Sequence, residues 1–280
     1  MINGFLLINK DSGITSSRVV QTLKKKFNLK KVGHLGTLDP MATGLLIIAI
    51  NRATKFASLL LQSEKSYRAE VTLGIQTDTD DVEGEVISSK DINSSKLEVE
   101  EALLTFLGES NQFPPDYSAL KHKGKPMYKY ARDGIKVQKE GRKIFVKKID
   151  NLSIELPTVS FYIQCSKGTY IRSIARDLGA KLGCGAHLSN LIRTSQQQFM
   201  LSEAYSLDDI DLEKLISLER AFDYLNSIQL NEDDSRAFLH GRSIELDFNH
   251  DDFLRVYDAS NEFIAIGRNT NKGFKHEYLV

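Results

Sequence analysis

The chain has 280 residues, of which 41% are hydrophobic and 26% are charged. This composition is typical of a globular protein with a sizeable core and excludes a disordered or fibrous chain. Two cysteines outside any CxxC pair exclude a disulfide framework. The apolar runs are too short for a secretory signal or a membrane span, which predicts a cytoplasmic protein that does not enter membranes.

The formal net charge is zero, but the charge is segregated along the chain. Lysine and arginine exceed aspartate and glutamate by 7 in residues 1–70 and by 7 in residues 116–150. The balance is −8 in residues 71–115 and −9 in residues 201–280. Because a binding groove responds to local potential, two basic segments favour a polyanion held at one face. The alternative is that each charged run is an ordinary solvated surface.

The first elements predicted are a strand over residues 4–9 and an amphipathic helix over residues 16–27. A glycine-rich loop at residues 32–46, VGHLGTLDPMATGLL, then leads into a buried strand over residues 45–50. The loop lacks the GxxxxGK[ST] and GxGxxG patterns of nucleotide-phosphate sites. Such a loop can hold one polar side chain where a ligand reaches it, and Asp39 is that side chain. Alternatively, Asp39 caps a short helix, because it precedes a proline.

Helices, a strand and an acidic turn are predicted next. The helices cover residues 53–61 and 97–107, and the strand covers residues 66–74. Within the strand, Tyr67 is either a core aromatic or a ring at the sheet edge near the loop. The acidic stretch at residues 77–85, TDTDDVEGE, fails the EF-hand spacing, so we predict a surface turn or hairpin and no metal site.

Residues 113–134, FPPDYSALKHKGKPMYKYARDG, interleave lysine and arginine with three tyrosines. Cations suit phosphates and aromatic rings suit bases, so this composition favours binding of single-stranded or loop RNA. An ordinary exposed helix and loop is the alternative interpretation.

Two strands, over residues 142–149 and 159–166, precede a helix predicted over residues 170–182. Arg172 lies near the start of this helix, where a cation opposes the helix dipole, so it needs a carboxylate partner. The alternative is a surface arginine that pairs with Asp177 or solvent.

The C-terminal part of the chain changes in character. Residues 207–223 are predicted to form an acidic helix, and from residue 227 short apolar runs are broken by turns. We therefore predict two domains, a larger one over residues 1–226 and a small β-rich one over residues 227–280.

Five stretches, in this order along the chain, resemble the TruB family of tRNA pseudouridine synthases. They are GHLGTLDPMATGLL, ATKFASLLLQSEKSYRAEVTLG, TDTDD, FPPDYSALKHKGKPMYKYARDG and CSKGTYIRSIARDLGAKLGCGAHLSNLIRT. The resemblance implies an α/β (α+β) catalytic domain around a mixed, largely antiparallel sheet with flanking helices. It also implies a thumb-like insertion at about residues 113–149 and a C-terminal RNA-binding domain of the PUA type.

Roles for individual residues follow from the same resemblance. It implies that Asp39 is the catalytic aspartate, that Tyr67 stacks on the target base and that Arg172 pairs with Asp39. It places four more residues in or beside the base pocket: His34, Lys55, Tyr170 and Leu191.

The implied activity is the conversion of uridine 55 in the TΨC loop of tRNA to pseudouridine, after the base flips out of the loop. This isomerisation needs no redox cofactor and no metal. Guide-RNA-dependent relatives lack the thumb-like insertion, so the resemblance implies a stand-alone enzyme without guide RNA, and we expect a monomer. Two other functions are open: a non-catalytic tRNA-binding or tRNA-folding protein, and a glycoside hydrolase, which needs a second acid in its pocket.

Overall fold

The computed structural model of the protein describes residues 2–118, 120–135, 137–246 and 253–280. Its strands, in chain order, are β1 (Gly4–Lys10), β2 (Val32–His34), β3 (Thr43–Ile50), β4 (Lys65–Leu73), β5 (Ile75–Thr77), β6 (Val86–Ser89), β7 (Gly108–Gln112), β8 (Lys121–His122), β9 (Lys125–Pro126), β10 (Arg142–Glu155), β11 (Thr158–Cys165), β12 (Ala186–Gln196), β13 (Phe199–Met200), β14 (Ser227–Gln229), β15 (Leu254–Tyr257), β16 (Phe263–Thr270) and β17 (Gly273–Leu279). Its helices are α1 (Ser16–Lys26), α2 (Ala57–Leu61), α3 (Lys96–Leu104), α4 (Met127–Arg132), α5 (Ile171–Lys181), α6 (Leu218–Ala221) and α7 (Glu232–Leu239), with short 3-10 helices at Asn51–Lys55, Leu201–Glu203 and Leu212–Lys214. No helix in the described ranges is long and apolar enough to cross a membrane.

The main sheet has the strand order β1-β3-β12-β4-β11-β10-β7, with β2 paired to β3 and β13 paired to β12. Neighbouring strands are antiparallel except β3 and β12, which run parallel. One face of the sheet packs against α1, α3 and α5 through aliphatic side chains such as Leu23, Leu103 and Leu178. This apolar layer stabilises the strands whose ends form the site described below.

A second sheet, β14-β15-β16-β17, lies in the C-terminal part of the chain. It contacts the opposite face of the main sheet, because Ile266 belongs to the same apolar cluster as Phe5, Leu45 and Phe222. A mixed, largely antiparallel sheet with flanking helices and a small β-rich C-terminal part confirms the predicted fold class. The domain boundary at residue 226 stays a prediction.

The prediction of one helix over residues 207–223 is wrong. The segment contains the 3-10 helix Leu212–Lys214 and the short helix α6, each started by a side chain that accepts a backbone N–H: Asp211 from Glu213 and Ser217 from Arg220. Between them, the backbone of Ile216 exchanges two hydrogen bonds of 2.9 Å with Phe5 in β1. Pairing with the sheet requires an extended backbone there, which interrupts the helix.

The predicted thumb-like insertion, about residues 113–149, contains β8, β9, α4 and the first part of β10; Ala119 and Lys136 lie outside the described residues. Its first residues are fastened to α5. The Phe113 carbonyl accepts hydrogen bonds from Ser173 Oγ and from Arg176 Nη2, each at 3.0 Å. The insertion therefore begins at a fixed point beside the helix that carries Arg172.

Candidate active site

A cavity of about 270 Å³ lies between the glycine-rich loop, the ends of β4 and β12, and the start of α5. It brings together residues that are far apart in sequence. Five of the predicted site residues line it: Asp39, Tyr67, Tyr170, Arg172 and Leu191.

The loop that carries Asp39 is held rigidly on both sides of that residue. Ser16 Oγ bonds the backbone of Leu38, accepting from its N–H and donating to its carbonyl at 2.9 Å each. Lys10 is fully buried, and its ammonium donates to the Pro40 carbonyl at 3.2 Å. Gly36 has a φ of +101°, a conformation that favours glycine. No helix begins at Asp39, so the helix-cap alternative is wrong, and the aspartate is free to face the cavity.

Arg172 joins Asp39 to a second carboxylate. Its guanidinium contacts Asp39 twice, with Nε 2.9 Å from Oδ2 and Nη2 3.2 Å from Oδ1. Nη1 lies 3.4 Å from Asp81 Oδ2 and donates to the Thr79 carbonyl at 3.0 Å. Nη2 also donates to the Tyr117 carbonyl, at the root of the insertion, at 2.9 Å. The fork of a guanidinium thereby fixes the orientation of the Asp39 carboxylate.

Opposing effects act on the pKa of Asp39. Burial raises the pKa above its usual value, because the charged form loses hydration, and the nearby Asp81 carboxylate raises it further. The Arg172 guanidinium lowers it and favours the ionised form. A carboxylate that is poorly hydrated yet held by a cation is suited to react with a substrate in the cavity.

The acidic stretch is not the surface turn that the sequence suggested. β5 and β6 do form a hairpin, but Asp80 and Asp81 between them are buried. The two carboxylates contact different arginines of α5. Asp81 contacts Arg172, as described above, and Asp80 Oδ2 lies 3.1 Å from Arg176 Nη1. Burial raises the pKa of Asp80 to about 6, and Arg176 opposes that shift.

Three apolar or aromatic side chains complete the wall of the cavity. Tyr67 in β4 and Leu191 in β12 are largely buried and lie on the face of the sheet that the cavity uses. Burial raises the pKa of Tyr67 to about 12, so its hydroxyl stays protonated. Tyr170 directly precedes α5, where its backbone N–H donates to Gln112 Oε1 at 2.8 Å.

His34 and Lys55, the remaining predicted site residues, do not line this cavity. His34, in β2, lines an adjoining cleft of about 580 Å³ that also reaches Asp39, Tyr128 and Arg132. Burial lowers the pKa of His34, which favours the neutral imidazole. Lys55 ends the 3-10 helix after β3 and is exposed. The roles predicted for both residues stay predictions.

Two basic residues in the cavity wall were not singled out from the sequence. Lys65 in β4 is 9% exposed and Arg193 in β12 is 1% exposed. Lys65 occupies the next position in the alternating row formed by Tyr67, Ala69 and Val71, so the strand periodicity places its side chain on the same face as Tyr67.

The acid–base content of the cavity limits its chemistry. Among the described residues that line it, Asp39 is the one carboxylate, and Asp81 and Glu83 line the adjoining cleft instead. A glycoside hydrolase needs a second acid beside the bond that it cleaves, which counts against that alternative. The described residues also contain no group of three or more His, Cys, Asp or Glu placed to hold a metal ion.

Comparison with known families covers nearly the whole chain. Residues 24–171 match the TruB family pseudouridylate synthase N-terminal domain. Residues 172–229 match the tRNA pseudouridylate synthase B C-terminal domain, and residues 227–274 match the pseudouridine synthase II TruB C-terminal domain.

Individual relatives agree with this result. The chain is 41% identical over 283 residues to tRNA pseudouridine synthase B of Clostridium kluyveri, with 98% of each chain covered. It is 39% identical to tRNA pseudouridine synthase B of Thiobacillus denitrificans, over 95% of this chain and 91% of that one. In the solved structure of a Cbf5-Nop10-Gar1 complex, one chain matches with a TM-score of 0.73 and 26% identity, covering 99% of this chain and 84% of that chain.

The aspartate–arginine pair, the fold and the full-length similarity agree with one another, and the chain belongs to the TruB family of pseudouridine synthases.

Proposed function

We propose that this protein converts uridine 55 in the TΨC loop of tRNA to pseudouridine, with Asp39 as the essential catalytic residue. Membership of the TruB family supports pseudouridine formation in tRNA. The observation that carries the assignment to Asp39 is its position: it is the carboxylate of the cavity, it is held at two atoms by Arg172, and Tyr67 lines the same cavity.

The substrate base has to leave its loop before it reaches such a cavity. Extrusion of a base costs a few kcal/mol. Stacking on the Tyr67 ring returns about 1 to 3 kcal/mol, since base–aromatic stacking has that magnitude. The Tyr67 ring is buried in the cavity wall and therefore fixed before the base arrives, which favours a base in one plane.

The chemistry breaks the bond from N1 of uracil to C1′ of ribose and forms a bond from C5 to C1′. The Asp39 carboxylate acts either as a nucleophile at C1′ or as a base that removes the proton from C2′. In both routes the electron pair of the broken bond passes to uracil. After the ring turns, C5 bonds to C1′. In the nucleophilic route this step breaks the bond between C1′ and the Asp39 oxygen, and in the other route Asp39 returns the proton to C2′. The C5 proton then leaves and N1 regains a proton, so the reaction is an isomerisation without net oxidation.

Basic side chains near the cavity suit the phosphates of the T arm. The lysines at the end of α1 and just beyond it, at positions 24, 25, 26, 30 and 31, precede the catalytic loop directly. Arg132 of the insertion lines the cleft that adjoins Asp39. We propose that these segments hold the tRNA backbone, that no guide RNA is needed, and that the protein acts as a monomer.

Release of tritium from tRNA labelled at C5 of uracil tests this proposal. The wild type is compared with Asp39→Asn on a transcript with uridine 55 and on one with cytidine 55. We expect release by the wild type from the uridine transcript alone, and a loss of about 10⁴-fold in Asp39→Asn, the scale of removing a catalytic side chain in other enzymes.

The control is Asp91→Asn, which makes the same change at an exposed aspartate outside the cavity. It should release tritium at the wild-type rate. If the wild type releases none while binding both transcripts tightly, the proposal fails and a non-catalytic tRNA-binding protein takes its place.

A further inference from the structure

Lys65 and Arg193 form a second basic pair in the same cavity as Asp39. Strand pairing sets them side by side: Tyr67 lies opposite Arg193 in the β4–β12 register, and Lys65 lies two residues from Tyr67 on the same face of β4. Both cations are at least nine-tenths buried. This arrangement is distinct from the Asp39–Arg172 pair, although it shares the cavity.

Neither cation has an anionic partner among the residues that the structure describes. The Lys65 ammonium donates to the carbonyls of Ser63 at 3.0 Å and Leu61 at 3.4 Å. Arg193 donates from Nε to the Leu45 carbonyl at 2.6 Å and from Nη2 to the Gly36 carbonyl at 3.1 Å. No ion pair in the described part of the chain includes either residue. The Asp39 carboxylate forms its ion pair with Arg172.

Burying a charge without a counter-charge destabilises a fold. Burial, together with the positive charges of Arg193 and Lys167, lowers the pKa of Lys65 from 10.5 to about 8, while Cys165 opposes this shift. At neutral pH the ammonium is therefore still charged, and the acceptors that it contacts in the described residues are neutral carbonyls. An anionic group of the substrate would complete this site.

The reaction generates such an anion. When the N1–C1′ bond breaks, its electron pair goes to uracil, and the charge is spread over N1, O2 and O4 in either route open to Asp39.

Of the two cations, Arg193 is already engaged within the protein, because it is 99% buried and its donors hold Gly36, Leu45 and the Tyr67 hydroxyl. Lys65, whose ammonium has three donors and uses two on backbone carbonyls, has one left for a ligand.

We propose that Lys65 is a second catalytic residue, whose ammonium contacts the uracil ring and stabilises its negative charge while it is detached from ribose. Arg193 is a positioning residue that fixes the Tyr67 ring and the Gly36 end of the catalytic loop. This inference rests on the proposed function, because it concerns the same reaction.

Single-turnover tritium release, at enzyme concentrations that saturate tRNA, tests the role of Lys65. We expect Lys65→Met to slow release by about 10²-fold, the effect of removing one donor to a developing anion in other active sites. Lys65→Arg should retain much of the rate, and tRNA affinity should be unchanged in both. Lys90→Met is the control, because Lys90 is exposed and lies outside the cavity.

Two further measurements separate charge stabilisation from a structural role. Fluorine at C5 stabilises a uracil anion. The Lys65→Met substitution should therefore slow the reaction by a smaller factor on a transcript with 5-fluorouridine at position 55, where the rate is measured by loss of that nucleoside after digestion.

The wild-type rate should also fall as the pH rises through about 8, and Lys65→Arg should move that fall to higher pH. Lys10 has a pKa of about 8 as well. If the rate of Lys65→Arg falls at the same pH as that of the wild type, the fall is assigned to Lys10 and the proposal is contradicted.

These outcomes differ from failure of the proposed function, in which the wild type itself would release no tritium. With an active wild type, an equally active Lys65→Met overturns the inference. Weaker tRNA binding with an unchanged saturated rate shows a phosphate contact instead, and an equal loss on uridine and 5-fluorouridine shows a structural role. Either result also overturns it.

Discussion

Arg172 and Arg193 reach the same cavity under opposite electrostatic conditions. Arg172 enters from α5 and contacts the carboxylates of Asp39 and Asp81. Arg193 enters from β12 and lies beside the buried Lys65, and the acceptors that it contacts in the described part of the chain are all neutral. The first side of the cavity orients a reactive carboxylate, and the second presents positive charge that only a ligand can neutralise.

This difference separates two tasks of one reaction. A carboxylate that acts on ribose has to be held at a fixed angle, which a two-point contact with a guanidinium provides. A base that becomes negatively charged needs a positive potential that is already in place, because a preorganised charge costs no rearrangement during the reaction. In the cavity, Arg172, which is paired with carboxylates, therefore lies in a different wall from Arg193 and Lys65, which are not.

Removing each arginine is the strongest test of this comparison. Arg172→Met leaves Asp81 buried without a counter-charge, so we expect it to lower the free energy of unfolding by about 3 to 5 kcal/mol. Arg193→Met leaves only neutral acceptors unsatisfied and removes an unpaired charge, so its cost should be about 1 to 3 kcal/mol.

Urea denaturation at pH 7 measures both values. Arg68→Met is the control, because Arg68 is exposed on the opposite face of β4, and its effect should stay within about 0.5 kcal/mol. If the two arginine substitutions lowered the free energy of unfolding equally, Arg172 would not differ from Arg193 in having a carboxylate partner that depends on it.

The pH dependence of stability sharpens the comparison on the Lys65 side. Its pKa is about 8 in the folded protein and 10.5 without burial, so above pH 8 the unfolded chain holds a proton that the folded protein has lost. Stability should therefore rise from about pH 8 to about pH 9. Lys10, whose pKa is also lowered to about 8, contributes in the same direction. Above pH 9 Cys165 acts in the opposite direction, because burial raises the pKa of its thiol from 9.0 to about 12 and the unfolded chain loses a proton that the folded protein keeps.

Urea denaturation across this range distinguishes the two lysines. In Lys65→Met the rise should shrink to roughly half, since one of two similar contributions is gone. A rise that is unchanged in this variant would show that Lys65 has the same pKa in the folded protein as in the unfolded chain, as a fully hydrated ammonium does.

Hydrophobic periodicity and turn residues act locally, and they predicted five strands of the main sheet, its flanking helices and the Asp39 loop. The arrangement of the sheet was implied by the family resemblance, and β7 and β12 were not predicted. It also led to the pairing of Arg172 with a carboxylate, since a cation at that end of a helix needs one. The segment 207–223 was assigned wrongly because its contact with β1 is a tertiary interaction that overrides helical periodicity. Burial of Asp80 and Asp81 has the same origin, as their partners come from α5.

Lys65 and Arg193 show a different limit of sequence reasoning. A charged residue in a strand is normally assigned to the solvent face, and nothing local shows that the row of Tyr67, Ala69 and Val71 ends in a cavity. The unpaired charge of Lys65 becomes visible only when strand pairing places Arg193 beside it and no carboxylate nearby.

The smallest expected effect concerns the hydroxyl of Tyr67, which links the stacking ring to Arg193. Tyr67→Phe keeps the ring and should lower the free energy of unfolding by about 1 kcal/mol, the net value of one hydrogen bond. In an Arg193→Met background the same change should cost almost nothing, because the partner is already absent. A double-mutant cycle by urea denaturation gives this coupling. Additive effects would mean that Arg193 does not hold the ring through its hydroxyl, and the order of the Tyr67 ring would then depend on packing against Leu191 and its neighbours in β4 and β12.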